Sequence, residues 1–96
     1  MAYKIIFKKR FLNRVTNVLS YLENEWGEKV ASNFLDTIDS RIELLKDHPF
    51  SGALTRKSKN IRGLHITKHN RLYYKVEGNK IFILNLYDTR KKNYGK

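Results

Sequence analysis

The sequence has no cysteine, one proline, one methionine, one tryptophan, and only nine acidic residues against twenty Lys and Arg. Without cysteine there is neither a disulfide framework nor a thiolate metal site. No apolar run approaches the ~18 residues needed to cross a bilayer. The apolar-leaning segment in MAYKIIFKKR is far too short for the apolar region of a signal peptide. These absences point to the cytosol and away from a membrane. There is no Gly-rich phosphate loop, no His-Glu metal spacing and no Ser/His/Asp constellation. His48 stands at no helical spacing from another His or Cys. No cofactor and no metal are therefore expected.

What remains is a 96-residue chain, 41% apolar and 30% charged, which reads as one soluble globular domain. A core this small leaves stability modest and makes a partner or a second copy useful. The net charge of +11 is segregated. Residues 1–10 carry +4, residues 11–55 carry −3, and residues 56–96 carry +10. Solubility alone does not require such separation, so the basic segments form a candidate polyanion surface.

Hydrophobic period divides the chain. Tyr3, Ile5 and Phe7 alternate with Lys4, Ile6 and Lys8, a strand that ends in Lys8-Lys9-Arg10. Phe11, Val15, Val18, Leu19, Leu22 and Trp26 then recur at helical steps, and Gly27 closes that helix. A second stripe follows at Val30, Phe34, Ile38, Ile42 and Leu45, with Ala31, Leu35 and Leu44 beside it, and Pro49 lies just beyond its end. The two helices should form an antiparallel hairpin. Phe50 to Asn60 has turn residues and no period, and reads as a loop. Three strands follow, at Ile61 to Thr67, Arg71 to Val76 and Ile81 to Tyr87, with Gly78-Asn79 as a hairpin turn. The expected fold is α+β: an N-terminal strand, a helical hairpin and a three-stranded antiparallel meander (β-α-α-β-β-β), with the helices on one sheet face and Asp88 to Lys96 as a basic tail.

Alternation then assigns faces. If Leu72, Tyr74 and Val76 meet the helices, Arg71, Tyr73 and Lys75 lie on the uncovered face, joined by His65. On the last strand Phe82, Leu84 and Leu86 are expected inward, with Asn85 and Tyr87 outward.

Four pieces add a family resemblance: the helix junction YLENEWGEKVA, the turn HPFSG, the strand pair HITKHNRLYYKVEGNKIFIL and the closing NLYDTRKKNYGK. In this order they resemble the RelE/ParE superfamily of toxins from bacterial two-gene toxin–antitoxin modules. The resemblance implies a small cytosolic toxin held in a hetero-oligomer by a cognate antitoxin, a small acidic protein. Its RelE-like members cut messenger RNA on the ribosome without a metal; if active in this way, the chain is an mRNA interferase. Its ParE-like members poison DNA gyrase and lack the nuclease residues. A third reading is an inactive module that keeps only antitoxin binding.

Metal-free RNA cleavage uses the ribose 2′-hydroxyl as nucleophile. The protein must orient the nucleotides, neutralise charge on the phosphoryl oxygens and move two protons. Arginine suits the phosphate because its fork bonds two oxygens and stays protonated. Arg71 stands where the resemblance places a strand arginine of this kind, and Arg90 falls in the closing basic segment. His69 and His65 are the candidate proton-transfer groups. Arg62, Lys68, Lys75 and Lys91 are candidate backbone contacts, and Tyr73, Tyr87 and Tyr94 candidate stacking rings. Arg71 could equally solvate the open face or pair with antitoxin carboxylates, and the tyrosines could be rim packing. The chain lacks the adjacent His-Tyr pair that ends some nuclease members; Lys57, Lys59 or Lys68 could act in its place.

Overall fold

Among the described residues, strand alternation and helical stripes resolve into seven elements: β1 (Lys4–Phe7), α1 (Lys9–Trp26), α2 (Glu28–Asp47), β2 (Ala53–Leu54), β3 (Ile61–Thr67), β4 (Asn70–Glu77) and β5 (Lys80–Asp88). The structure, a computed structural model, describes residues 3–55 and 60–88. Among them the strands form one sheet in the order β1-β5-β4-β3-β2. The β3–β4–β5 meander is antiparallel as expected, while β1 pairs parallel with β5, Ile5 opposite Ile81.

The fold class read from the sequence is the one found: both helices pack on one face of a mixed sheet. Their stripes supply Phe11 and Val15 from α1 and Phe34, Ile38, Ile42 and Leu45 from α2. The sheet answers with Ile66, Leu72, Tyr74, Ile81, Ile83 and Leu86. Gly27 joins the helices at φ +98°, where a side chain would be strained, and its N–H reaches the carbonyls of Leu22 and Glu23. Gly78 has φ +61° in the β4–β5 turn. No helix among the described residues is long and apolar enough to cross a membrane.

Three details depart from the sequence reading. The segment after α2 is not all loop, since Ala53 and Leu54 pair with Gly63 and Arg62 as a short edge strand. The helix stripes are wider than the core: Trp26, Val30, Leu35 and Leu44 are exposed. The inward set of β5 is also different. Ile81 and Ile83 are fully buried, whereas Phe82 and Leu84 are only half-buried. A β-bulge explains the change, because Tyr73 pairs with Asn85 but Tyr74 pairs with Ile83, leaving Leu84 as an extra residue that shifts the parity. Beyond the bulge Leu86 is inward, as expected.

The turn after α2 is pinned from beneath. The buried Tyr74 hydroxyl donates to the Pro49 carbonyl at 2.9 Å and accepts the Gly52 N–H at 2.9 Å. Burial pushes that hydroxyl above its usual pKa.

Candidate nucleic-acid interface

The sheet face away from the helices gathers side chains that β-pairing places in register. His65 stands opposite Arg71, Gly63 opposite Tyr73 and Ile61 opposite Lys75 on β3 and β4. Arg71 stands opposite Tyr87, and Lys75 opposite Phe82, across β4 and β5. The edge-on rings of Tyr73 and Tyr87 lie 5.1 Å apart between centroids. Four cations rest on these aromatic faces: Arg71 over Tyr73 at 5.6 Å, Arg14 over Tyr87 at 5.7 Å, and Lys8 and Lys75 over Phe82 at 5.6 and 5.5 Å. Lys75 also pairs with Glu77 at 3.1 Å.

Arg71 is held low. Its guanidinium crosses the bare backbone of Gly63, where a Cβ would fall 2.8 Å from Nη2. Among the described residues its Nε is buried without a hydrogen-bond partner. The guanidinium thus lies flat across the strand, and it stays protonated whatever it meets.

The start of α1 adds charge from an unexpected side. Because β1 stops at Phe7, opposite Ile83, the chain turns into α1 beside the last residues of β5. Lys8 and Arg10 thereby reach the same cleft as Tyr73 and Tyr87. The first turn of α1 holds no acid, and its N-cap, Lys8, makes no side-chain capping bond. Cations at a helix N-terminus oppose the macrodipole, at roughly 0.3–1 kcal/mol each. A local electrostatic rule is broken where an anion would relieve it.

Of the residues read as site candidates, Arg71, Tyr73, Lys75, Tyr87 and His65 share this face. Lys68 is exposed in the β3–β4 turn, and the adjoining His69, half-buried, donates its N–H to Thr67 Oγ1 at 3.4 Å. Arg62 does not join them. It pairs with core-facing Tyr74, donates to the carbonyls of Phe50 and Gly52 at 3.2 and 2.8 Å, and lies over the Phe50 ring. Its role here is to fasten the HPFSG turn. Arg90, Lys91, Tyr94, Lys57 and Lys59 lie outside the described residues. The sequence reading missed Lys8, Arg10, Arg14 and Phe82 as parts of this face. The only signal for the first two was the basic first segment.

The helix side carries a second cleft of about 460 Å³, between the hairpin and the end of the sheet. Val18, Tyr21, Leu22, Val30 and Phe34 give it an apolar wall, and Asn70 and Asp88 close one end. Trp26, 67% exposed, lies at the end of α1.

A basic, uncovered sheet face backed by a helical hairpin defines a class of small toxin, the RelE/ParE-type fold. The profile of the ParE toxin of the type II toxin–antitoxin system parDE matches residues 5–93. The chain belongs to that family and is a toxin of a type II toxin–antitoxin system. Solved structures agree on the fold. The ParDE system from P. aeruginosa superposes with a TM-score of 0.78 at 13% identity, covering 91% of this chain and 96% of that one. A YoeB/ParE toxin from Agrobacterium tumefaciens gives 0.65 at 15% identity, covering 88% and 96%. The E. coli DinJ–YafQ toxin–antitoxin complex gives 0.65 at 11% identity, covering 94% and 96%. No curated protein matches the chain in sequence.

Proposed function

We propose that this toxin inhibits growth by cutting messenger RNA on the ribosome through its uncovered sheet face, without a metal. The observation that supports this reading is the cross-strand pair His65 and Arg71, set beside Tyr73 and Tyr87. Arg71 would neutralise the phosphoryl oxygens as the 2′-hydroxyl attacks, with Arg90 as its counterpart from the closing segment. His65 or His69 would move protons, and the rings would take unstacked bases.

A second reading has its own support: the matching family is named for ParE, and Arg71 rests half-buried on Tyr73 and Gly63. In that reading the same face binds DNA gyrase and needs no proton transfer. Either way the partner that silences the chain is a small acidic antitoxin. Complexes such as DinJ–YafQ support an antitoxin partner, and the apolar helix-side cleft and the exposed Trp26 at the end of α1 offer it surface to cover.

One experiment separates the readings. The chain is induced alone while RNA ends and gyrase-dependent supercoiling are followed. New cuts at codon boundaries, abolished by Arg71→Ala in a folded protein, are expected. Gyrase–DNA cleavage complexes with intact messages would replace the nuclease with the gyrase reading. Normal growth with soluble protein present would reduce the chain to an antitoxin-binding module.

A further inference from the structure

The bulge in β5 brings an amide side chain to the uncovered face. Asn85 is only 7% exposed, yet it lines the cleft of about 370 Å³ on the uncovered face, beside Leu84, Tyr73 and Tyr87. Its Oδ1 accepts the N–H of Leu86 at 2.8 Å. That bond fixes which end of the amide is oxygen, because a backbone N–H needs an acceptor. The other end, Nδ2, makes no hydrogen bond among the described residues. Nδ2 is not one of the fully buried unpartnered atoms, so solvent or a ligand can reach this donor from the cleft. The bulge is what brings it here: without the extra residue Leu84, position 85 would fall out of register with Tyr73.

The surroundings specify what would satisfy that donor. Leu84 and the rings of Tyr73 and Tyr87 give apolar and aromatic walls. Lys8 and Arg10 stand on the rim side of the same cleft. Its volume lies in the range, roughly 300–1,000 Å³, of pockets that take one small ligand. A bare phosphate would use the cations and waste the walls. An acidic peptide could meet the cations and the amide donor, but its carboxylates bring no flat ring to match Tyr73 and Tyr87.

We propose that this cleft receives a single unstacked nucleobase. Asn85 Nδ2 donates to an acceptor on the base edge, a carbonyl oxygen or ring nitrogen. Tyr73 and Tyr87 pack against the ring, and Lys8 and Arg10 meet the adjoining phosphates. The proposal rests on the reading of this face as a nucleic-acid surface and adds to it a base subsite served by the start of α1.

The test is an NMR titration of the ¹⁵N-labelled full chain, read at the Asn85 side-chain amide. The probes are the four uncharged ribonucleosides, with ribose 5-phosphate as the base-free control. At least one nucleoside should shift that amide saturably, and ribose 5-phosphate should not. Asn85→Asp, followed at the backbone amides of Tyr73 and Tyr87 because it has no side-chain amide, keeps an acceptor for the Leu86 N–H and turns the remaining donor into an acceptor, so it should weaken nucleoside binding about fivefold or more. Uncharged probes keep the added negative charge from producing that loss by itself. No movement of the Asn85 amide, an equal shift with ribose 5-phosphate, or unaltered binding by a folded Asn85→Asp would each overturn the proposal. If that variant does not fold, the wild-type titration decides alone. Ribo- and deoxyribo-trinucleotides then show whether the base comes from RNA or DNA, the tighter of the two naming the source. Nucleoside binding with uncut messages would sink the nuclease and keep the cleft; cut messages with no nucleoside binding would do the reverse.

Discussion

Arg71 lies in the space that a side chain at Gly63 would fill. A Cβ there would fall 2.8 Å from Arg71 Nη2 and 3.2 Å from Tyr73 Cε1. A glycine in mid-strand carries an entropic cost and packs nothing of its own. Here it lets β3 act as the bed for the guanidinium that β4 presents.

Gly63→Ala tests that arrangement. The flexible end of Arg71 can move aside, so stability should change by less than about 1 kcal/mol. The guanidinium would be lifted off Tyr73, and growth inhibition on induction should fall. Melting temperature and growth curves measured together check this. Full toxicity with a folded protein would mean that the resting position of Arg71 is not the one it uses.

Gly52→Ala should behave in the opposite way. Its Cβ would meet the Tyr74 hydroxyl at 2.7 Å, Tyr74 Cε1 at 2.8 Å and the backbone oxygen of Gly63 at 2.9 Å. A buried ring and a paired backbone yield much less readily than an arginine tip. Overpacking of this kind costs about 1–3 kcal/mol. A urea titration should show a clearly lower midpoint than that of Gly63→Ala.

Tyr74→Phe removes one hydroxyl and strands two partners, the Pro49 carbonyl and the Gly52 N–H. A loss of roughly 1–3 kcal/mol at neutral pH is expected. Its pH dependence has a definite sign. The unfolded phenol ionises near 10.0, and burial raises the folded value above this. The folded state thus holds its proton longer, and the hydroxyl's contribution is complete below the unfolded pKa. It fades as pH rises from there through the folded value. Chemical denaturation at several pH values should give a wild-type advantage that is flat at neutral pH and shrinks in the alkaline range.

Trp26→Ala addresses the helix side. Since the ring is mostly in solvent, stability should hold within about 0.5 kcal/mol. If the antitoxin covers the exposed end of α1, its binding should weaken by about 2 kcal/mol, as for a buried aromatic anchor. Calorimetry with the cognate antitoxin measures this. An unchanged affinity would place the antitoxin elsewhere.

The faces of β4 could be read directly from NRLYYKV. Three apolar side chains alternate with Arg71, Tyr73 and Lys75, and a strand with one buried side has one consistent phase. The helical hairpin was equally legible, from two apolar stripes with Gly27 between them and Pro49 beyond. β5 was not, because the run from Ile81 to Leu84 is apolar at every position and so carries no phase. The bulge at Leu84, set by pairing with β4, decided that Phe82 serves the open face, while Asn85 and Tyr87 lie outward as their alternation with Leu86 indicated.

The sequence by itself determined the order of every element but the short β2, the core-facing phase of β4, the excess of positive charge and its two locations. Those are local properties: period, capping and composition act between near neighbours along the chain. Only the tertiary structure decided that Lys8, Arg10 and Arg14 meet Tyr73 and Tyr87, and that Arg62 turns away to hold the Phe50 and Gly52 carbonyls. Those outcomes depend on the parallel pairing of β1 with β5 and on the turn pinned by Tyr74. Both join segments far apart in the chain, and their geometry is settled by packing and hydrogen-bond satisfaction across the whole domain rather than by any local pattern.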